Sequence, residues 1–170
     1  MQAISESKKR PGDPRNREVV HSADNPENGN LATPVNDSGF VRALINNLPA
    51  YRHNLSPFRR ALEIGMAHGY FLIGPFAKLG PLRDTDVANL AGLLATVGLV
   101  VILTACLSIY GGSRPEAPTD TVTIDQHPRA FDSVEGWNEF AGGFLIGGVG
   151  GAGFAYLILA NVELLRNLAG

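Results

Sequence analysis

The amino-acid sequence predicts an all-α membrane protein: three transmembrane helices preceded by a polar N-terminal tail and a short amphipathic surface helix. Three observations carry that prediction. Val87 to Ser113 holds no charged residue across 27 positions, and Phe140 to Val162 holds none across 23. Each run exceeds the roughly 20 residues that a helix needs to cross about 30 Å of hydrocarbon. The first sixty residues, by contrast, are polar and contain nine of the fourteen Lys and Arg. Averages over the 170 residues hide this division, since 45% hydrophobic residues and a mean hydropathy of +0.05 would suit an ordinary soluble domain. The distribution excludes one.

Residues 1–36 are rich in Pro, Asn, Asp, Glu and Gly, show no apolar periodicity and read as a flexible tail. The membrane domain follows, over residues 37–165. Asp37 and Ser38 can cap a short helix whose Val41, Leu44, Ile45 and Leu48 fall on one side. Pro49 ends it, and a helix this short must dock on a membrane surface or a partner to be stable. The first span, about 59–78, is the least apolar, because only 14 uncharged residues separate Glu63 from Lys78. It approaches 20 residues if the stems of Arg59 and Arg60 snorkel. The second span covers about 87–110. The third covers about 138–162, with Trp137 placed as an interfacial anchor. Residues 111–137 form a polar loop punctuated by Pro115, Pro118 and Pro128, with no strong structure of its own. Orientation follows from the basic residues. With the N-terminus cytoplasmic, eleven Lys and Arg lie on that side and three, Lys78, Arg83 and Arg166, on the other.

Several function classes are excluded or weakened. A net charge of −2 gives no reason to expect a nucleic-acid partner. The single cysteine, Cys106, forbids an intrachain disulfide framework or a Cys-based zinc site and reads as a small buried hydrophobe within the second span. No apolar run marks a secretory signal, and Glu6, Asp13, Glu18, Asp24 and Glu27 contradict a transit peptide. No Ser/His/Asp order within one compartment, phosphate-binding Gly-Lys loop or metal-spaced His pair is present, so the chain is not expected to be an enzyme.

Chemistry concentrates in the first span, at Glu63 and His68. Ionisable groups are costly inside a bilayer and therefore mark function by default. Five positions of helix separate the two by about 140°, so they cannot chelate one small ion together and point to two separate sites. Gly65 and Gly69 bracket His68 and strip bulk from around its imidazole, as a flat macrocycle lying on the helix would require. A haem held by two histidines of this chain is excluded, because His21, His53 and His127 all lie in polar segments. A chlorophyll magnesium needs one axial ligand, which imidazole or carboxylate can supply. A hydrogen-bonded histidine between helices serves the sequence equally well. For Glu63, Arg59 at i−4 and Arg60 at i−3 suggest either an interfacial ion pair or a carboxylate kept ionised for a metal centre. In the third span Gly143, Gly147, Gly151 and Ala155 form a row of small residues that lets helices approach closely. That row can serve self-association or a partner helix, or the packing of the chain's own bundle.

The stretches Asn47 to Arg52, Leu55 to Pro57, Leu62 to Pro75, Leu79 to Asp84, Asp86 to Leu90 and Glu135 to Trp137 resemble photosystem I reaction-centre subunit XI in its cyanobacterial form. The resemblance covers roughly residues 33–165, and its block from Glu63 to Pro75 is specific. It implies three transmembrane helices, an N-terminus on the stromal or cytoplasmic side, and a non-catalytic role in photosynthesis. It implies chlorophyll a held axially by Glu63 and His68, with β-carotene as a further candidate cofactor. It implies a calcium ion at a trimer interface, held by the carboxylate of Asp84 and the carbonyl of Pro81. Two donors are fewer than the usual six to eight for calcium, so a neighbour or water would complete the shell. Asp84 can equally be a helix-start residue. The partners implied are other photosystem I subunits including the large core subunits, copies of the chain across the trimer axis, and the lipid of the thylakoid membrane, or of the plasma membrane where thylakoids are lacking. The competing reading is a small membrane scaffold without pigment, in which Glu63 and His68 are structural. A proton channel is weaker still, since one acid beside arginines offers no relay.

Overall fold

A computed structural model describes residues 20–23, 29–116, 120–124, 126–162 and 166–167. Among these the regular secondary structure is helical apart from one short ladder, and the chain divides into two compact units, Met1–His53 with Pro118–Pro128 and Asn54–Ala117 with Arg129–Gly170.

In the first unit, β1 (His21–Ser22) pairs antiparallel with β2 (Leu31–Ala32), placing His21 opposite Ala32. Gly29, at φ 63°, occupies the left-handed region in the connecting turn, where a residue without Cβ is unstrained. The expected flexible tail thus contains a ladder, while its residues 1–19 and 24–28 lie outside the described residues. Two-residue strands carry no legible period, which is why the sequence does not announce them. Beyond β2, Asn36 Oδ1 accepts from the Thr33 backbone N–H at 2.7 Å and its Nδ2 donates to the Leu31 carbonyl at 2.8 Å.

Helix α1 (Gly39–Asn47) starts where the sequence places it: Ser38 Oγ accepts the Val41 N–H at 3.2 Å. It stops before Pro49 because that ring forces Leu48 out of helical geometry, to φ −65° and ψ 148°. Its apolar side is only partly covered: Val41 and Ile45 are half-buried, Leu44 and Leu48 are exposed, and no residue of the helix is buried. Residues 120–124 and 126–127, expected to lack structure, are fastened within this unit. Asn46 Nδ2 donates to the Thr123 carbonyl at 2.8 Å, and Thr123 Oγ1 donates to the Asn36 carbonyl at 3.0 Å. The backbone N–H of His127 donates to Asp120 Oδ1, and its Nδ1 lies 2.9 Å from the same oxygen.

The second unit holds α2 (Pro57–Leu79), α3 (Ala88–Gly112), a 3₁₀ turn at Arg129–Asp132, and α4 (Val134–Ala160). Ser56 caps α2 by accepting the Arg59 N–H at 3.3 Å, and Pro57 fills the first helical position, where its missing N–H costs nothing. α4 begins earlier than the apolar run because Ser133 Oγ accepts the Gly136 N–H at 3.1 Å. Glu135 then sits in the first turn, where the helix dipole favours an acid.

Two of these helices, α3 and α4, are long and apolar enough to cross a membrane. α2 has 23 residues, about 35 Å at 1.5 Å per residue, so it has the length while its charged ends dilute its hydropathy.

The three helices pack through small residues. A Cβ added at Gly143, Gly147 or Gly151 of α4 would collide with the carbonyl oxygens of Phe58, Leu62 and Met66 of α2 respectively. The reverse holds for Gly69 of α2, whose Cβ would lie 2.8 Å from the Ala152 nitrogen. Gly148 of α4 receives the Val100 side chain of α3, and Gly92 of α3 receives Ala77 of α2. The glycine row of α4 is therefore used inside the chain's own bundle, and the reading that assigns it to self-association or a partner helix is corrected. Where lipid removes the hydrophobic drive, such backbone-on-backbone contact supplies the packing. Ala61, Val100, Phe140 and Phe144 form the core around it. Thr96 is 0% exposed and donates from Oγ1 to the Gly92 carbonyl at 2.8 Å, so its hydroxyl is satisfied within α3. Arg60, expected to snorkel, is instead 3% exposed and donates from Nη2 to the Leu55 carbonyl at 3.1 Å.

Candidate functional site

Both ionisable residues singled out in the sequence lie on α2, an unbroken helix, so the offset of about 140° between Glu63 and His68 holds. They face different surroundings. Glu63 is half-buried, whereas His68 is exposed at the seam where α2 meets Phe144 of α4. Of the two arginines beside Glu63, Arg59 is exposed and Arg60 buried.

The imidazole of His68 is held at two points. Its Nδ1 lies 2.8 Å from the Ile64 carbonyl one turn back. A carbonyl only accepts, so Nδ1 carries a proton, and in the neutral ring the lone pair is then on Nε2. The ring also meets Phe144 edge-on, with centroids 5.6 Å apart and planes at 62°. This is the arrangement by which proteins prepare a metal-ligating histidine: one nitrogen fixed on a carbonyl, the other left basic. A chlorophyll magnesium, which accepts one axial donor from imidazole nitrogen or carboxylate oxygen, fits the donor atoms available at both positions.

The glycines around His68 have another use. Gly65 and Gly69 are buried against α4, and a Cβ on Gly65 would lie 2.8 Å from the Gly148 nitrogen. Their smallness serves helix contact, and the reading in which they clear space for a macrocycle is corrected. Sequence spacing could not separate the two uses, because both require a glycine next to the histidine.

Pro81 and Asp84 lie in the exposed loop between α2 and α3. The Asp84 side chain is 84% exposed, with Oδ2 at 3.4 Å from Arg83 Nε. It is not a helix cap: α3 starts at Ala88, and its N-cap, Val87, makes no side-chain bond. Among the described residues no group of three or more His, Cys, Asp and Glu could enclose a metal ion. A calcium ion at Pro81 and Asp84 would therefore need most of its oxygen ligands from outside the chain.

Other positions depart from the sequence reading. Cys106 is exposed on α3 rather than buried, since uniform hydropathy does not say which side of a helix meets protein. Trp137 is tied into an aromatic cluster with Tyr110, Phe131 and Phe140, and its Nε1 donates to the Phe131 carbonyl at 2.9 Å. Next to it a cleft of about 320 Å³ opens between Gly111, Arg114 and Pro115 on one side and Phe131 to Glu135 on the other. Neither Glu63 nor His68 lines it.

Comparison with known proteins agrees with the resemblance. The family described as photosystem I reaction centre subunit XI matches residues 18–164. The chain is 59% identical over 170 residues to the photosystem I reaction center subunit XI of Nostoc sp. (strain PCC 7120), covering 99% of each chain. It is 56% identical to that of Mastigocladus laminosus over 99% of this chain and 98% of the relative. To that of Gracilaria tenuistipitata var. liui it is 58% identical over 140 residues, which is 82% of this chain and 89% of the relative. The similarity to the first two extends through the N-terminal segment, beyond the 33–165 stretch that carries the motifs.

Proposed function

The chain belongs to the photosystem I reaction-centre subunit XI family, and from that membership we propose that it binds antenna chlorophyll a through His68 and Glu63 and mediates trimer assembly. It is a non-catalytic subunit of the photosystem I membrane complex and associates with the other subunits of that complex. In this reading α2 is the third span beside α3 and α4, and the N-terminus faces the cytoplasmic or stromal side, as eleven basic residues against three favour.

The observation that carries the pigment role is the hydrogen bond of 2.8 Å between His68 Nδ1 and the Ile64 carbonyl. It selects the Nδ1–H tautomer of the neutral ring, in which Nε2 is the lone-pair donor, on an exposed face of a helix set among membrane spans. Glu63 offers a carboxylate oxygen in another direction, which makes a second and independent position. Bound chlorophyll a supplies light absorption and passes excitation onward, with no bond made or broken. The protein's part is to hold each pigment at a fixed place and orientation. Exposed apolar surface on α3 and α4, including Ile102, Ile109 and Leu157, gives β-carotene and lipid a surface that needs no motif. Calcium at Pro81 and Asp84 would be shared with a neighbouring copy across the trimer axis.

Two substitutions in the intact complex test the pigment role. His68→Leu should assemble and lack one chlorophyll per subunit. Glu63→Gln should weaken a different site, because a neutral amide oxygen is a poorer donor. Pigment extraction gives the stoichiometry and difference absorption identifies the component. Unchanged pigment content in an assembled His68→Leu complex would instead favour the pigment-free scaffold. Loss of the same component in both variants would reject two sites.

A further inference from the structure

We propose that Phe144 is a positioning residue for His68, setting from α4 the direction in which the imidazole on α2 presents Nε2; this rests on the ligand role proposed above. The bond to Ile64 holds Nδ1 only within the range of angles a hydrogen bond tolerates, so the terminal torsion, broad in histidine, keeps some play. Phe144 supplies a second constraint that narrows the direction of Nε2.

The two rings stand 5.6 Å apart at 62°, an edge-to-face contact favoured by the ring quadrupoles. Phe144 is itself held: it is 4% exposed and belongs to the core formed with Ala61, Val100 and Phe140. Its backbone lies against α2, because a Cβ on Gly65 would strike the Phe144 carbonyl oxygen. The ring therefore cannot drift from the imidazole unless the contact between α2 and α4 opens. The aim of Nε2 is thereby tied to the packing of the two helices through Gly65, Phe144 and Gly148. A ligand supplied by one helix is steered by the other.

The test compares intact photosystem I complexes carrying the wild-type chain, His68→Leu, Phe144→Leu, Phe144→Met and Phe144→Tyr. Methionine keeps an unbranched apolar side chain in the core but has no ring edge, and tyrosine keeps the ring. Chlorophyll per complex, low-temperature absorption and circular dichroism are measured, together with pigment retention during detergent exposure. The component missing in His68→Leu should shift and broaden in Phe144→Leu and Phe144→Met. It should also be lost about tenfold faster in detergent, the lower end for removal of a partner that orients a metal ligand. Phe144→Tyr should restore the wild-type band.

A merely structural role would leave band position untouched in Phe144→Met once the complex has assembled. An unshifted, fully retained component in that variant overturns the inference. If that happens while His68→Leu still loses its component, the ligand role stands and only the positioning role falls. If His68→Leu loses none, both fall.

Discussion

Helices α3 and α4 both have long uncharged central runs, yet 17% of the most apolar stretch of α3 is buried in the protein against 39% of α4. The more apolar helix is the less buried one, with mean hydropathy 2.5 for α3 and 1.8 for α4. In α3 the buried residues, Gly92, Thr96 and Val100, make one narrow stripe four residues apart, with Gly111 further along. In α4 they make two, one of glycines against α2 and one that includes Gly148, which receives Val100 of α3. For a membrane helix, hydropathy reports the solvent, while small residues report the neighbours.

That contrast is easiest to break at a glycine. Gly147→Ala puts a methyl group against the Leu62 carbonyl, which as backbone cannot move aside. It should lower the stability of the bundle by about 1–3 kcal/mol, the usual cost of overpacking. Gly150→Ala, on the same helix with nothing within 4 Å of its added Cβ, should leave stability unchanged or raise it by up to about 1 kcal/mol, since Ala is the better helix former. Thermal release of the subunit from the complex measures both, and equal effects would contradict the inward use of the row.

A smaller effect is expected in the loop before α3. Asp84→Ala should loosen trimers without abolishing them, because an exposed carboxylate is worth about 1 kcal/mol or less and polar helix contacts are individually about as weak. The trimer-to-monomer ratio in mild detergent reads this directly. No change at all would remove the proposed calcium role and nothing else. The smallest effect belongs to α3 itself. Cys106→Ala should alter subunit stability by less than about 0.5 kcal/mol, since the thiol is exposed in this chain. A loss of 2 kcal/mol or more, roughly the cost of a buried large-to-small change, would show that another surface packs on it.

Much of this architecture is legible in the sequence because its signals are local. Ser38 caps the helix that follows it, and Pro49 ends α1 as its ring requires, whereas the caps Ser56 and Ser133 start α2 and α4 earlier than hydropathy places them. The uncharged runs mark α3 and α4. What remains hidden depends on which side of an apolar helix faces protein. Cys106 and Gly150 are indistinguishable in hydropathy from buried neighbours, and no polar stripe marks the outward face. The glycines beside His68 were legible as important but not as packing, because their partners are more than 75 residues away in α4. Asp120 and His127 meet across a Pro-bounded loop in which no periodicity exists to be read. At the site, His68 stands out by its cost in a membrane, whereas Phe144 carries no signal beyond being apolar.

The central claim is that this chain assembles and feeds the complex without taking part in its electron transfer. The most direct test is sedimentation, in mild detergent, of photosystem I from cells lacking the chain, alongside flash-induced charge separation in the same preparation. The reading predicts monomers in place of trimers and nearly intact charge separation. Trimers at wild-type abundance, or charge separation lost with the chain, would contradict it.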